Sequence, residues 1–146
     1  KATESSPCFS PDGSKIVFAS DSMGGPQIYT ISSSGGKMQR VNTRMSGYCS
    51  EPAWNPYDAN KIAFTAAVGF QVAVYDFSTR SSKWVSSGEN TSGAVWLNDG
   101  RHLICTKSAG DTRKLFVVDT ETNSQKPLHT SSFNAKEADF VYAPRM

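Results

Sequence analysis

The stretch Phe9-Ser10-Pro11-Asp12-Gly13-Ser14-Lys15-Ile16-Val17-Phe18 places a compact turn between two apolar, β-rich segments. Pro11 has the φ that the second position of a type I turn requires, and Asp12 is favoured at the third position. Gly13 then accepts the positive φ that follows such a turn. The stretch therefore predicts a strand, a tight turn and a second strand.

The same pattern returns downstream at a nearly constant interval. The second copy is Trp54-Asn55-Pro56-Tyr57-Asp58-Ala59-Asn60-Lys61-Ile62-Ala63-Phe64, with one residue inserted in the turn. The third copy, Trp96-Leu97-Asn98-Asp99-Gly100-Arg101-His102-Leu103-Ile104-Cys105, lacks the proline but keeps Asp-Gly. Phe140, preceded by Glu137-Ala138-Asp139, begins a fourth copy. The aromatic residues are separated by 45, 42 and 44 positions, a period typical of propeller blades.

Each copy is followed by two further predicted strands. The aligned third strands are Gln27-Ile28-Tyr29-Thr30-Ile31, Gln71-Val72-Ala73-Val74-Tyr75 and Lys114-Leu115-Phe116-Val117-Val118. Val41, Val85 and Leu128 then align at the end of a short fourth strand. In the first unit the strands are predicted at about 6–9, 15–20, 27–32 and 38–42, and a four-stranded antiparallel unit is one blade. No helical periodicity of useful length occurs in the sequence.

At the level of motifs the chain resembles a known repeat. Pro7-x-Phe9-Ser10-Pro11-Asp12-Gly13-x-Lys15-Ile16-x-Phe18, followed by Pro26-Gln27-Ile28-Tyr29 and Gly35-Gly36, is similar to the Pro-Asp β-propeller repeat. Glu51-Pro52-Ala53-Trp54-Asn55-Pro56 begins the second occurrence. That repeat builds the six-bladed carboxy-terminal propeller of the TolB family, the periplasmic component of the Tol-Pal system. It also builds propellers attached to tricorn-like and prolyl-oligopeptidase-like peptidases. The third copy departs from it, with Leu97-Asn98 in place of Ser-Pro.

The predicted fold class is all-β, a β-propeller of four-stranded antiparallel blades. Residues 1–146 are predicted as one partial propeller, with blades at about 4–45, 49–89 and 91–131 and an orphan inner strand at 135–142. By the resemblance, about three blades plus a closing inner strand are half of a six-bladed ring. Closed propellers have about four to eight blades, so three blades leave two apolar faces uncovered. We expect the remaining half of the ring, or a second copy of the chain, to cover them.

Equivalent apolar residues are expected between the blades, because neighbouring blades cover both faces of an inner or second strand. The predicted aromatic anchors are Phe9, Trp54, Trp96 and Phe140. The predicted aliphatic and aromatic residues that accompany them are Ile16, Phe18, Ile62, Phe64 and Leu103.

Bulk properties exclude several classes of function. The 146 residues are 38% hydrophobic and 19% charged with a net charge of +2, which suits a soluble β protein. Lys and Arg are scattered, whereas nucleic-acid binding needs a clustered basic footprint. No apolar run approaches the roughly 18 residues of a membrane-spanning helix. The three cysteines match no metal motif and are expected as free, buried thiols, with a Cys8–Cys49 disulfide as the alternative.

Few residues suggest catalysis. His102 and His129 belong to no His-Glu-x-x-His pattern, and the sequence has no Gly-x-Ser-x-Gly elbow, so neither an enzyme nor a cofactor site is predicted. Acidic residues at the starts of the inner strands are the candidate binding site at the mouth of the channel: Glu4, Glu51, Glu137 and Asp139. Converging carboxylates could hold a cation or meet a basic partner segment. The alternative is that they are solvated and kept apart by the width of the channel.

The predicted function is that of a non-enzymatic scaffold for protein–protein interaction, because the loops on propeller faces commonly bind partners. Resemblance to TolB implies a periplasmic location and a partner such as the lipoprotein Pal at one propeller face. The alternative is the accessory, gating propeller of a tricorn-like or prolyl-oligopeptidase-like peptidase. A propeller enzyme acting on a polysaccharide would need clustered His, Gln and Arg ligands, which the sequence lacks.

Overall fold

The computed structural model describes residues 1–129 and Ala138. Within this part the chain forms twelve β-strands and no helix. The strands are β1 Glu4–Phe9, β2 Lys15–Ser20, β3 Gln27–Ser32, β4 Gln39–Arg40, β5 Tyr48–Trp54, β6 Lys61–Ala67, β7 Gln71–Asp76, β8 Ser81–Trp84, β9 Thr91–Trp96, β10 His102–Ala109, β11 Thr112–Asp119 and β12 Gln125–Pro127.

The strands form three antiparallel sheets, each built from four consecutive strands in sequence order. Strands β1–β4 are blade 1, β5–β8 are blade 2 and β9–β12 are blade 3. The predicted all-β partial propeller of four-stranded blades is confirmed. Among residues 1–129 and Ala138 there is no helix long and apolar enough to cross a membrane.

The predicted turn closes the first hairpin of every blade with the same backbone hydrogen bond. Ser10 N–H donates to Lys15 O at 2.8 Å, and the equivalent bonds in blades 2 and 3 measure 2.9 and 2.8 Å. Gly13 and Gly100 have φ values of 72° and 64°, as the Asp-Gly turns require. The third turn therefore keeps its geometry although Leu97-Asn98 replaces Ser-Pro.

The outer end of each blade repeats as well. The N–H groups of Val41, Val85 and Leu128 donate to carbonyls of the third strands at 2.8, 3.0 and 2.8 Å. These equivalent bonds confirm the alignment of the three units. Two strands of the first blade differ from their predicted bounds of 6–9 and 38–42, since β1 begins at Glu4 and β4 comprises only two residues.

The core lies between blades, as predicted. Trp54 belongs to a buried cluster with Val17, Ala19, Ile28 and Val41 of blade 1. Trp96 of blade 3 belongs to a second cluster, with Ala63, Val72, Val74 and Val85 of blade 2. The other buried anchors are Phe18, Ile62, Phe64 and Leu103. Each of these two anchor tryptophans therefore packs against the blade that precedes its own in the chain.

The prediction that Phe9 is a buried anchor is wrong in this structure. Its side chain is 61% exposed, whereas Trp54 and Trp96 are 6% and 1% exposed. The reason is positional, because no described blade precedes β1 and covers this side. Ile16, which pairs with Phe9, is half-buried. The anchor Phe140 and the predicted strand 135–142 lie outside the described residues, Ala138 excepted.

The three cysteines are free thiols, so the alternative Cys8–Cys49 disulfide is absent. Cys49 and Cys105 are fully buried, and burial raises the pKa of the Cys105 thiol to about 12. Cys8 is half-buried, and its sulfur accepts the backbone N–H of Trp54 at 3.3 Å. The thiols act as small apolar groups of the core.

Candidate functional site

One end of the blades, which we call the upper face, carries the starts of the inner strands β1, β5 and β9. Antiparallel pairing places the end of each second strand there too, as in the pair Tyr48 and Ala67. The β2–β3, β6–β7 and β10–β11 turns therefore lie on the same face. Loops on such a face have a fixed position because the sheets that carry them are rigid.

Every inner strand contains a bulge at an equivalent place. Ser6, Glu51 and Gly93 have φ values of 52°, 51° and 63° at these bulges. The pairing of β1, β5 and β9 with their neighbours shifts register there. Left-handed backbone is uncommon for serine and glutamate, and bulges commonly re-aim a side chain. These bulges line an open cleft of about 270 Å³ together with Ala138.

Glu51 uses its carboxylate to join two blades. Oε2 accepts the Thr65 hydroxyl of its own blade at 2.8 Å and the Gly93 N–H of blade 3 at 2.9 Å. Charge-assisted bonds of this kind are stronger than neutral ones. The predicted position of Glu51 at the channel mouth therefore has a structural use, and a role in partner binding stays a prediction.

The other predicted acidic residues are not brought to Glu51. Glu4 receives the Ser20 hydroxyl at 3.3 Å and lies in a different, mainly apolar cleft beside Pro7 and Phe18. Glu137 and Asp139 lie outside the described residues. Among residues 1–129 and Ala138, no group of three His, Cys, Asp or Glu side chains is arranged to hold a metal ion.

An aromatic pair on the upper face was not predicted from the sequence. Tyr48 and Phe70 are 38% and 45% exposed, and their rings meet edge to face at a centroid distance of 5.7 Å. They line a cleft of about 250 Å³ with Glu51, Asn90 and Ser108. The β6–β7 turn is apolar, whereas the β2–β3 and β10–β11 turns are polar or glycine-rich. This difference is the feature of the sequence that could have indicated the aromatic pair.

Main-chain hydrogen bonds fix the position of Phe70. Phe70 has a φ of 51°, which is a true outlier for a bulky residue. Its carbonyl accepts the Thr91 N–H at 2.8 Å, and the Gly69 carbonyl accepts the Asn90 N–H at 2.6 Å. Ser108 N–H then donates to Asn90 O at 2.9 Å. The segment that links blades 2 and 3 is thus hydrogen-bonded to the β6–β7 turn and to strand β10. Strained residues that the surrounding structure holds in this way occur at binding sites.

The opposite end of the blades, the lower face, holds an ionic network in blade 3. Arg101 donates from Nε and Nη2 to Asp119 at 2.9 and 2.6 Å, and its Nη1 lies 3.0 Å from Glu121. His102 Nδ1 lies 2.5 Å from Asp99. Neither a serine nor a cysteine side chain is among the hydrogen-bond partners of His102 in the described residues. These contacts show that ion pairs and hydrogen bonds stabilise the β9–β10 turn.

We expect the stability of this turn to fall at low pH. Burial opposes ionisation of Asp99, but the N–H groups of His102 and Arg101 and the His102 ring outweigh it and lower the pKa to about 2. A lowered folded-state pKa contributes stability above the ordinary value of 3.8, and that contribution is lost as pH falls toward 2. Urea unfolding at pH 6, 4 and 2.5 would measure it. Asp99→Asn should flatten the decline between pH 4 and 2.5, whereas Asp111→Asn at an exposed hairpin tip should leave the decline as in the parent chain.

Comparison with known proteins agrees with this architecture. The chain resembles TolB from Acinetobacter baumannii with a TM-score of 0.75 and 24% identity, over 90% of this chain and 33% of that one. It also resembles Pyrococcus horikoshii acylaminoacyl peptidase with a TM-score of 0.63 and 20% identity, over 86% and 25% of the two chains. At these identities the likeness concerns the fold.

A sequence relative is the uncharacterized peptidase YuxL of Bacillus subtilis, 27% identical over 139 residues. The match takes in 94% of this chain and 20% of YuxL, so the chain spans only a fifth of that relative. The family model of the TolB beta propeller domain matches residues 1–142. The chain therefore belongs to the TolB beta propeller domain family.

Proposed function

We propose that this chain is a non-enzymatic scaffold that binds a protein partner on its upper face. The observation that carries the proposal is the exposed Tyr48–Phe70 pair at the rim of a polar cleft. Exposed aromatic residues that are rigidly held are the usual energetic centres of protein interfaces. Main-chain bonds already hold Phe70, so binding loses little conformational entropy there.

The cleft supports a partner segment that is basic and partly apolar. Glu51 lines the cleft and carries a carboxylate, and Asn90 offers both an amide donor and an acceptor. Glu137 and Asp139, which the sequence predicts at the channel mouth, would add negative charge there, and Glu4 would add it from its separate cleft. Both contributions would favour the encounter with a basic segment. The resemblance to TolB suggests a Pal-like lipoprotein as the partner and the periplasm as the compartment.

Alanine substitution of the aromatic pair tests the proposal. With the soluble domain of Pal from Acinetobacter baumannii as the probe, Phe70→Ala and Tyr48→Ala should each weaken binding by about tenfold or more. Isothermal titration calorimetry would measure the dissociation constants. Trp84→Ala is the matched control, because Trp84 is also 38% exposed but lies on the outer strand β8. Equal losses in Phe70→Ala and Trp84→Ala would contradict the assignment of the upper face.

A second candidate is the gating propeller of a peptidase. The observation in its favour is the match to YuxL along 94% of this chain. In that case the upper or lower face would meet a catalytic domain of the same polypeptide. Gene sequence on both sides of these 146 codons discriminates the two candidates: a Ser-Asp-His hydrolase domain favours the peptidase, and a small upstream α/β domain favours the TolB-like scaffold.

A further inference from the structure

The upper-face cleft between blades 2 and 3 combines an aromatic wall with a single carboxylate. Tyr48 and Phe70 supply the aromatic rings, and Glu51 supplies the carboxylate. Asn90 and Ser92 add polar side chains from the segment that begins blade 3. Apolar rings beside one negative charge fit a ligand that carries a positive charge at the end of an apolar stem.

The bulge in β5 turns the Glu51 side chain toward this cleft. In a regular strand, successive side chains point to opposite sides of the sheet. Glu51 nevertheless shares a side with its neighbour Ser50, because it accepts the hydroxyl of Thr65, and Thr65 pairs with Ser50 across the sheet. The same carboxylate reaches Gly93 of blade 3. The left-handed φ of 51° at Glu51 therefore brings its charge to the side of blade 2 that faces blade 3.

One oxygen of the Glu51 carboxylate is engaged and the other is open. Oε2 accepts the Thr65 hydroxyl at 2.8 Å and the Gly93 N–H at 2.9 Å. In the part of the chain that the structure describes, Oε1 receives no hydrogen bond, and no Lys, Arg or His side chain forms a salt bridge with Glu51. The negative charge at the cleft therefore has no cation beside it within residues 1–129.

Other polar side chains in the cleft are open as well. Asn90, Ser92 and Ser108 line it, and their side chains form no hydrogen bond with any other described residue. The amide oxygen and the two hydroxyl oxygens can each accept a hydrogen bond. An ammonium group has three donors and no acceptor, so these oxygens and Oε1 of Glu51 match it.

The carboxylate and the exposed ring are particular to this pair of blades. Ser6 and Gly93 hold the position of Glu51 in blades 1 and 3, and both have a positive φ, so the bulge forms without a carboxylate. Pro26 holds the position of Phe70 in blade 1, because both carbonyls accept an N–H of the next inner strand at 2.8 Å. The repeat geometry thus requires neither group, which favours a ligand as the reason why both meet in one cleft.

We propose that this cleft binds the side-chain ammonium of one lysine, an inference that rests on the proposed binding role of the upper face. The ammonium donates to Oε1 of Glu51 and to the side-chain oxygens of Asn90 and Ser92. The methylene stem of the lysine packs on Tyr48 and Phe70, whose rings also attract the positive charge.

The hydrogen bonds of Glu51 favour lysine over arginine. A guanidinium pairs best with a carboxylate through two parallel N–H bonds, one to each oxygen. Oε2 already accepts two donors, so only Oε1 is open, and a compact ammonium needs no second oxygen. An α-amine at the start of a chain carries the same charge, but it lacks the methylene stem that covers the aromatic pair.

Titration of small lysine derivatives into the 15N-labelled 146-residue chain tests the inference. The probe is Nα-acetyl-lysine methylamide, and nuclear magnetic resonance follows the amides of Gly93 and Asn90. It should bind about threefold or more tightly than the norleucine and arginine analogues, because an exposed ion pair and a cation–π contact each contribute modestly. Glycine methylamide, whose ammonium is an α-amine, should also bind more weakly than the lysine probe.

A matched pair of variants locates the charge. Glu51→Gln keeps a side-chain oxygen for Thr65 but removes the charge, so it should weaken binding of the lysine probe by about threefold or more. Binding of the norleucine analogue should stay unchanged. Asp111→Asn is the control, since it removes one charge from an exposed hairpin tip of the same face outside the cleft. Circular dichroism verifies that both variants are folded.

Ligand variants test the charge without any change to the protein. Equal binding of the lysine probe and its neutral Nε-acetyl analogue by the parent chain would overturn the inference, as would tighter binding of the arginine analogue. The absence of any saturable shift at Gly93 would overturn it too. Binding of Pal is a separate result. If Pal binds through Phe70 and the lysine probe does not bind, the proposed scaffold role stands and the lysine site is wrong.

Discussion

Replacing Trp96 by alanine is expected to lower the free energy of unfolding by about 3–5 kcal/mol, the range for deletion of a fully buried aromatic side chain. Trp96 is 1% exposed and packs against the aliphatic side of blade 2. Its ring N–H also donates to Ala53 O at 3.0 Å, so the substitution leaves that carbonyl without this donor. Urea unfolding followed by circular dichroism would measure the change.

Phe9→Ala is the matched control, because Phe9 occupies the same position in the repeat. With 61% of its side chain exposed, its loss should change stability by about 0.5 kcal/mol or less. Because both residues hold the same position in the repeat, the difference in unfolding free energy between the two variants reports the effect of burial. A similar loss in both variants would show that Phe9 is covered within one chain, contrary to the structure.

Asn55→Ala is expected to cost about 2–4 kcal/mol, because each buried group deprived of its hydrogen-bond partner costs about 1–3 kcal/mol. The Asn55 side chain is fully buried between the first hairpins of blades 2 and 3. Its Nδ2 donates to Gly100 O at 2.8 Å, and its Oδ1 accepts the N–H groups of Tyr57 and Asp58 at 2.9 and 3.0 Å. One side chain thus closes its own turn and braces the turn of the next blade.

Ser10→Ala provides the control for Asn55, since Ser10 holds the equivalent position in blade 1. The Ser10 hydroxyl donates to Asp12 and accepts the Lys15 N–H, both inside its own hairpin. Its loss should cost about 1 kcal/mol, a typical net value for a hydrogen bond. Hydrogen exchange at Gly100 and Arg101 should accelerate in Asn55→Ala and stay unchanged in Ser10→Ala. Unchanged exchange in both variants would refute the bracing role of Asn55.

The architecture within each blade was predictable from sequence. Strand pairs, the Asp-Gly turns and the aligned positions of Val41, Val85 and Leu128 all depend on residues that are neighbours in the chain. Turn chemistry acts over four residues, and strand alternation acts over two. Because the unit recurs about every 44 residues, three imperfect copies supported one another, and the departure at Leu97-Asn98 did not change the result.

The candidate site depended on contacts that the local pattern does not contain. Glu51 bonds Gly93 across 42 positions, Asn55 bonds Gly100 across 45, and Trp96 bonds Ala53 across 43. Each contact spans about one repeat, so it exists only where another blade lies alongside. The Tyr48–Phe70 pair likewise joins an inner strand to a hairpin tip, and its exposure follows from the packing around it.

Blade formation follows from the amino-acid sequence, because hydrophobic alternation and turn residues act locally and repeat. Which anchors are buried depends instead on the packing of the blades, since burial requires a second surface. Phe9 and Trp96 share one position in the repeat, yet one is mostly exposed and the other is buried against blade 2. Glu51 was predicted at the channel mouth by its place in the strand. Its carboxylate holds blade 3 because the neighbouring bulge directs the Gly93 N–H toward it.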